Sequence, residues 1–229
     1  MNILDLDTDA TIGAVIDELH TRPVLVQLPQ VYALLAPATP AGAAGLNRMK
    51  ARLPGKSYGT AVGRMQSFWD MIDSTSLPES IQDPAVLDAV PDVFYRCKIA
   101  EAETETAAVR QGTHQTLVLG GRLRELMRSV EKAFESQAEP EMFGGHHFSA
   151  PLITSCNVSG DPLGSITDEV RAREFIDQRG VGLWVRGAGT SCEQGSFPIL
   201  ELNPAGIGIG RKGPGLDCIL ESIYSKSRA

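Results

Sequence analysis

The chain has 229 residues, is 42% hydrophobic and 21% charged, and carries a formal net charge of −7. That is the composition of an ordinary globular protein, expected as a single domain over 1–229, and the negative charge argues against broad nucleic-acid binding, which a cationic face drives. No apolar run approaches the roughly 20 residues that span a bilayer, and Asp5 and Asp7 stand where a secretory leader has basic residues, so the chain is expected in the cytoplasm and off the membrane.

Along the chain, Ile12, Val15, Ile16 and Leu19 recur at the spacing of a helix with one buried face, with Thr11 or Asp9 as its cap. The run 24–28 reads as a buried strand ended by Pro29, and 31–35 continues the core. Residues 43–49 predict a short helix that delivers Lys50 and Arg52 to its C-terminal end, where the macrodipole favours cations. The stretch 74–92, rich in Pro, Ser and Asp, reads as a surface excursion with a short helix near 84–89. Residues 101–110 are charged and predict an exposed helix or loop, 115–119 a strand, and 122–134 an amphipathic helix with Leu123, Leu126, Met127, Val130 and Phe134 inward.

After a break at 139–145, the apolar run 151–153 turns into the polar segment Ser155-Cys156-Asn157-Val158-Ser159-Gly160. A helix follows over 167–176, then strands at 181–185 and 197–202 separated by a Gly/Ser/Cys-rich segment, and a final helix over 216–225. Interleaved strands and helices without a repeat predict a mixed α/β (α+β) fold, a mixed sheet flanked by helices. The four cysteines, Cys97, Cys156, Cys192 and Cys218, form no C-x-x-C pair and read as reduced thiols. His146 and His147 are adjacent, point to opposite faces if extended, and have no ligand partner at metal spacing, so no metal site is expected.

Two polar segments carry the chemistry. Lys50, Arg52 and Lys56 put three cations within seven residues, and Pro54 and Gly55 keep them on an irregular loop suited to holding phosphates. The Ser155 to Gly160 turn offers hydroxyls and an amide that can orient a small polar ligand.

In this order, and with Arg211-Lys212-Gly213 after them, these segments resemble the YrdC-like family of threonylcarbamoyl-adenylate synthases. Lys50, Arg52 and Lys56 are similar to its K-x-R motif with a further basic residue, and Ser155, Asn157, Ser159 and Gly160 to its S-x-N followed by S-G. Thr116 resembles the threonine of its G-P-x-T segment, and Arg211 with Gly213 its late R-x-G. The middle arginine is Arg122, Arg124 or absent. The family's P-T-D-T-V-Y-G-L is replaced by Gln27-Leu28-Pro29-Gln30-Val31-Tyr32-Ala33-Leu34, and its S-T-x-V-D strand by the segment from Ser196 to Glu201.

The resemblance implies a twisted sheet with an open concave binding face. It also implies an ATP-dependent nucleotidyltransferase that joins ATP, bicarbonate and an amino acid or small amine into a carbamoyl-type adenylate, in the manner of threonylcarbamoyl-AMP formation for tRNA modification. Lys50 and Arg52 would be catalytic. Lys50, Arg52, Lys56, Thr116, Ser155, Asn157 and Arg211 would hold the nucleotide, and Tyr32, Gln30, Ser155 and Ser196 the acceptor. Mg²⁺ would arrive with ATP, and a downstream carbamoyl-transferring protein would take the product. The alternative is a non-catalytic RNA- or ribosome-binding member. The loss of the T-D-T triplet bears on threonine as substrate more than on the nucleotide.

Overall fold

The computed structural model describes residues 1–102, 105–187, 191 and 193–227. In chain order its elements are β1 (Asn2–Asp5), α1 (Asp9–Leu19), β2 (Val24–Gln27), β3 (Tyr32–Ala36), α2 (Pro40–Lys50), β4 (Gly59–Val62), α3 (Met65–Trp69), α4 (Pro84–Asp88), β5 (Val93–Lys98) and β6 (Thr113–Val118). There follow α5 (Gly121–Ala133), β7 (Leu152–Ser155), α6 (Glu169–Arg179), β8 (Leu183–Arg186), β9 (Ile199–Asn203), β10 (Gly206–Arg211) and α7 (Leu216–Lys226). The strands form one open mixed sheet in the order β1-β8-β2-β3-β7-β4-β6-β5-β9-β10.

Local sequence explains most helix starts. Thr8, Thr39, Asp83 and Asp168 each accept a backbone N–H of the first turn of α1, α2, α4 and α6, and Pro40 and Pro84 occupy the first turn where no N–H is needed. Thr8, not Thr11 or Asp9, caps α1; the Thr11 hydroxyl donates instead to the Asp5 carbonyl at 2.8 Å. The stretch 74–92 is less superficial than its composition suggests, because Leu77, Ile81, Leu87 and Val90 are buried and anchor it to the core. No described helix is long and apolar enough to cross a membrane.

The sheet separates two apolar clusters. On one side α1 and α5 pack through Ile12, Val15, Leu19, Leu123, Leu126, Met127 and Val130 against Val24, Val26, Ala33, Leu117 and Val185. On the other, residues of α2, α3, α4, α6 and α7 cover Leu34, Val62, Tyr95, Leu152 and Trp184. Two helices do not span ten strands of about 4.8 Å spacing. Part of the first face is left open, and the polar segments converge there.

Candidate functional site

Helix α2 ends in a left-handed residue, Ala51 (φ 45°), whose N–H returns to the carbonyls of Arg48 and Asn47. A non-glycine residue there is held at some cost, and it reverses the chain so that Lys50 and Arg52 go different ways. Lys50 is only 2% exposed. Its ammonium donates to the Ser155 carbonyl, to the Asn157 carbonyl at 2.7 Å and to Asn157 Oδ1 at 3.3 Å. These use all three donors of an ammonium group. The Ser159 N–H donates back to the Lys50 carbonyl at 2.8 Å, so lysine and turn clamp one another across 107 residues of sequence. Burial, and after it the neighbouring Arg52 charge, pulls the Lys50 pKa down to about 7.

Within the turn, Ser155 Oγ donates to Asn157 Oδ1 at 2.6 Å and Asn157 Nδ2 to the Val158 carbonyl at 3.0 Å. The closing glycine is required by conformation, since Gly160 has φ +85°. Cys156 is buried inside the turn, and burial pushes its thiol up to about 12, which keeps it protonated and inert.

Arg52 enters the open face instead. Its guanidinium stacks 4.0 Å from the Tyr58 ring, donates to the Ser57 carbonyl at 2.6 Å and reaches Thr154 Oγ1 at 3.5 Å. Its Nε is buried without a partner. Arg211 comes from the opposite wall: a register shift in β10 between Ile209 and Arg211 re-aims it, and Nε and Nη2 both donate to the Phe197 carbonyl at 2.9 and 2.7 Å. Burial lowers the pKa of both arginines, so each charge is poorly solvated and gains from an anion.

Between them lies a groove of about 220 Å³. Its floor is apolar, from Val31, Ala33, Phe94, Leu117, Ile153 and Phe197, and Arg52, Ser57, Gln115, Thr154, Ser155, Ser196 and Arg211 make its polar wall. Ser196 Oγ is 2.8 Å from Ser165 Oγ. Gly213 explains the glycine of the late motif: a Cβ there would sit 2.4 Å from the Ser196 carbonyl oxygen, so only glycine lets this segment close on the groove.

Of the residues singled out in the sequence, Arg52, Ser155, Ser196 and Arg211 line the groove, while Lys50 and Asn157 stand behind it as the clamp of the turn. Lys56 lies in an adjoining cleft. Thr116 is placed elsewhere: it is wholly buried, 2.9 Å from Thr60 Oγ1, which in turn lies 2.9 Å from His114 Nε2. Its neighbours Gln115 and Leu117 face the groove, so strand alternation turns Thr116 to the far side. Burial holds the His114 pKa down to about 4, leaving a neutral ring.

Tyr32 is likewise turned to the far side by the alternation that puts Val31 and Ala33 in the groove, and it packs edge-on to Trp184. Gln30 is buried outside the groove lining with Oε1 unpartnered. Neither candidate for the middle arginine lines the groove: Arg122 pairs with Asp9 and Glu125, and Arg124 with Asp88. Gln115, Thr154 and Phe94 line it and went unmarked in the sequence; a glutamine inside the strand run 113–118 was the available signal. His146 donates to or accepts from the Ala100 carbonyl region only, at 2.8 Å, and no group of three His, Cys, Asp or Glu that could hold a metal occurs among the described residues. Cys192 and Gly189 lie outside the described residues.

No family model and no curated protein sequence matches the chain. Solved structures do. E. coli YciO superposes with a TM-score of 0.64 over 93% of this chain and 94% of its own, at 12% identity. P. abyssi Sua5 complexed with L-threonine superposes with a TM-score of 0.64 over 97% of this chain and 62% of its own, at 13% identity. The fold is that of YciO and Sua5. Full-length HypF in its phosphate- and nucleotide-bound form shares it over 83% of this chain and 27% of its own, with a TM-score of 0.54 and 16% identity. This YrdC-like fold accounts for the open, mixed sheet.

Proposed function

We propose that the groove is the active site of an adenylate-forming nucleotidyltransferase that makes a carbamoyl-type adenylate from ATP, bicarbonate and an amino acid or small amine. The observation that carries this reading is the meeting of Arg52, Ser155, Ser196 and Arg211, from four distant segments, over one apolar floor. Relatives in fold that hold L-threonine, or phosphate and nucleotide, support it.

The chemistry balances as two steps. The amine adds to bicarbonate and releases water to give a carbamate; a carbamate oxygen then attacks the α-phosphorus of ATP, and the bond to the β-phosphate oxygen breaks to release pyrophosphate. Little covalent work falls to the protein, and orientation with charge stabilisation suffices. Arg52, with Nε unpartnered, would clamp phosphate oxygens through its planar fork, and Arg211 would hold the nucleotide from the far wall. Ser155 and Ser196 would orient the carbamate, and Lys50 and Asn157 would fix Ser155 in place. The groove lining offers no carboxylate to a cation, so Mg²⁺ would come on the phosphates of ATP. A mixed anhydride hydrolyses readily, so a separate carbamoyl-transferring protein would consume the product.

Mass spectrometry of products from ATP, bicarbonate and a panel of amino acids and small amines tests this. The expected result is AMP linked through a carbamate to one acceptor, with equimolar pyrophosphate. Unconsumed ATP across the whole panel would remove the enzymatic reading.

A further inference from the structure

Beside the groove runs a second cleft of about 400 Å³, lined by Arg52, Lys56, Arg96 and Arg110 and by no carboxylate. It shares Arg52, Ser57 and Gln115 with the groove, so the two are continuous. In a chain of net charge −7, four cations around one cleft concentrate positive potential where the rest of the surface has little.

Two of these cations are fixed. Arg96 donates to Gln115 Oε1 at 2.7 Å and to Glu201 Oε1 at 2.7 Å, tying it to the strands on either side, and Arg52 is held as described above. The other two are available: Lys56 and Arg110 are exposed and have no ion-pair partner among the described residues. Arg110 is nonetheless positioned, because it opens a tight hairpin turn closed by backbone bonds of 2.9 Å to and from Thr113, with Gln111 and Gly112 both at positive φ. Lys50, by contrast, has no donor left for a ligand.

We infer that this cleft is a diphosphate site, which takes the β- and γ-phosphates of a nucleotide seated in the groove and holds free pyrophosphate after cleavage. Arg110 and Arg96 stand there in the place that the basic motif gives to Lys50. The inference deepens the adenylate-forming reading and rests on it for its biological meaning, but the binding itself is independent of turnover. Two planar forks and a flexible ammonium around one hollow suit a compact, highly charged anion. The apolar floor next door suits a nucleoside, and Arg52 at the junction meets the α-phosphate.

Calorimetry with inorganic pyrophosphate, ATP and AMP as separate probes tests the site on the full chain. Arg110→Ala should weaken pyrophosphate and ATP by about ten-fold each, as expected for one lost charge-assisted contact. Lys56→Ala/Arg110→Ala should weaken them further, and AMP should be unaffected by either. Both side chains are exposed, so the variants should keep the wild-type thermal transition, and Arg110→Lys should restore part of the affinity. Wild-type protein that fails to bind pyrophosphate, or pyrophosphate affinity unchanged in the double variant, overturns the inference. So does RNA binding lost in these variants when pyrophosphate does not bind. Product formation is scored separately: adenylate made without pyrophosphate binding would sink this inference alone, and Arg110-dependent pyrophosphate binding without adenylate would sink the enzymatic reading alone.

Discussion

Lys50 shows how a residue can be found from the sequence and its role still misjudged. A lysine two positions before an arginine at a helix end reads as a phosphate ligand, yet the left-handed turn at Ala51 sends the two side chains apart. Lys50 becomes a buried strut, and its pKa near 7, against an ordinary value of 10.5, makes that testable. Below about pH 7 the group is charged whether the chain is folded or not. Between pH 7 and 10.5 the unfolded chain keeps a proton that the folded chain has released, so the unfolded state binds more protons and stability rises with pH from this group. Lys50→Met should abolish that rise, measured as the pH dependence of the urea midpoint from pH 7 to 10. An identical pH profile in wild type and Lys50→Met would mean that Lys50 keeps its ordinary pKa despite its burial.

At the scale of elements, legibility followed exposure. Helices with a solvent side were readable: the amphipathic run at 122–134 is α5, and 216–225 is α7, each within a residue or so. Strands β4, β5 and β10 were not assigned. β4 is four residues beginning with Gly59, β10 alternates glycine with isoleucine, and β5 carries Arg96 and Lys98 at the end that faces the basic cleft. Parity was the other blind spot. Thr116 and Tyr32 lie in strands buried on both faces, where a hydrophobic pattern does not say which residues face which side. The glycine of the late motif, in turn, was visible while its reason was not. Gly213→Ala puts a Cβ against the Ser196 carbonyl and Pro198 nitrogen, at 2.4 and 2.6 Å, so the backbone must move. Overpacking of this kind costs about 1 to 3 kcal/mol, and it should loosen the Arg211 contact with Phe197 as well. A lower thermal midpoint together with weaker ATP binding is expected; an unchanged midpoint would show that the two segments are not in contact in solution.

At the scale of the whole molecule, the sheet, its two helical layers and the open face leave the nucleotide side of the groove well supplied with donors and the acceptor side poorly so. The turn that joins β2 to β3 is closed by the Leu28 N–H donating to the Val31 carbonyl at 3.0 Å, which leaves Leu28 lining the groove and buries Gln30 away from it. Pro29 has no N–H to offer, and its carbonyl is already taken by the Ser191 N–H at 2.8 Å. Threonine would bring an ammonium or amine, a carboxylate and a hydroxyl to a wall made of leucine and phenylalanine. Each polar group buried there without a partner costs about 1 to 3 kcal/mol. P. abyssi Sua5 has been solved with L-threonine, but at 13% identity the pocket walls need not carry over with the fold. The expected outcome in a pyrophosphate-release assay with ATP and bicarbonate is weak or absent stimulation by threonine, with a smaller or less polar amine doing better. Gln30→Thr, at the position nearest the missing triplet, should not restore threonine, because its side chain does not reach the groove. Robust turnover with threonine at low concentration would show that Ser155, Ser196 and Gln115 suffice to hold it, and that the loss of the triplet left the substrate unchanged.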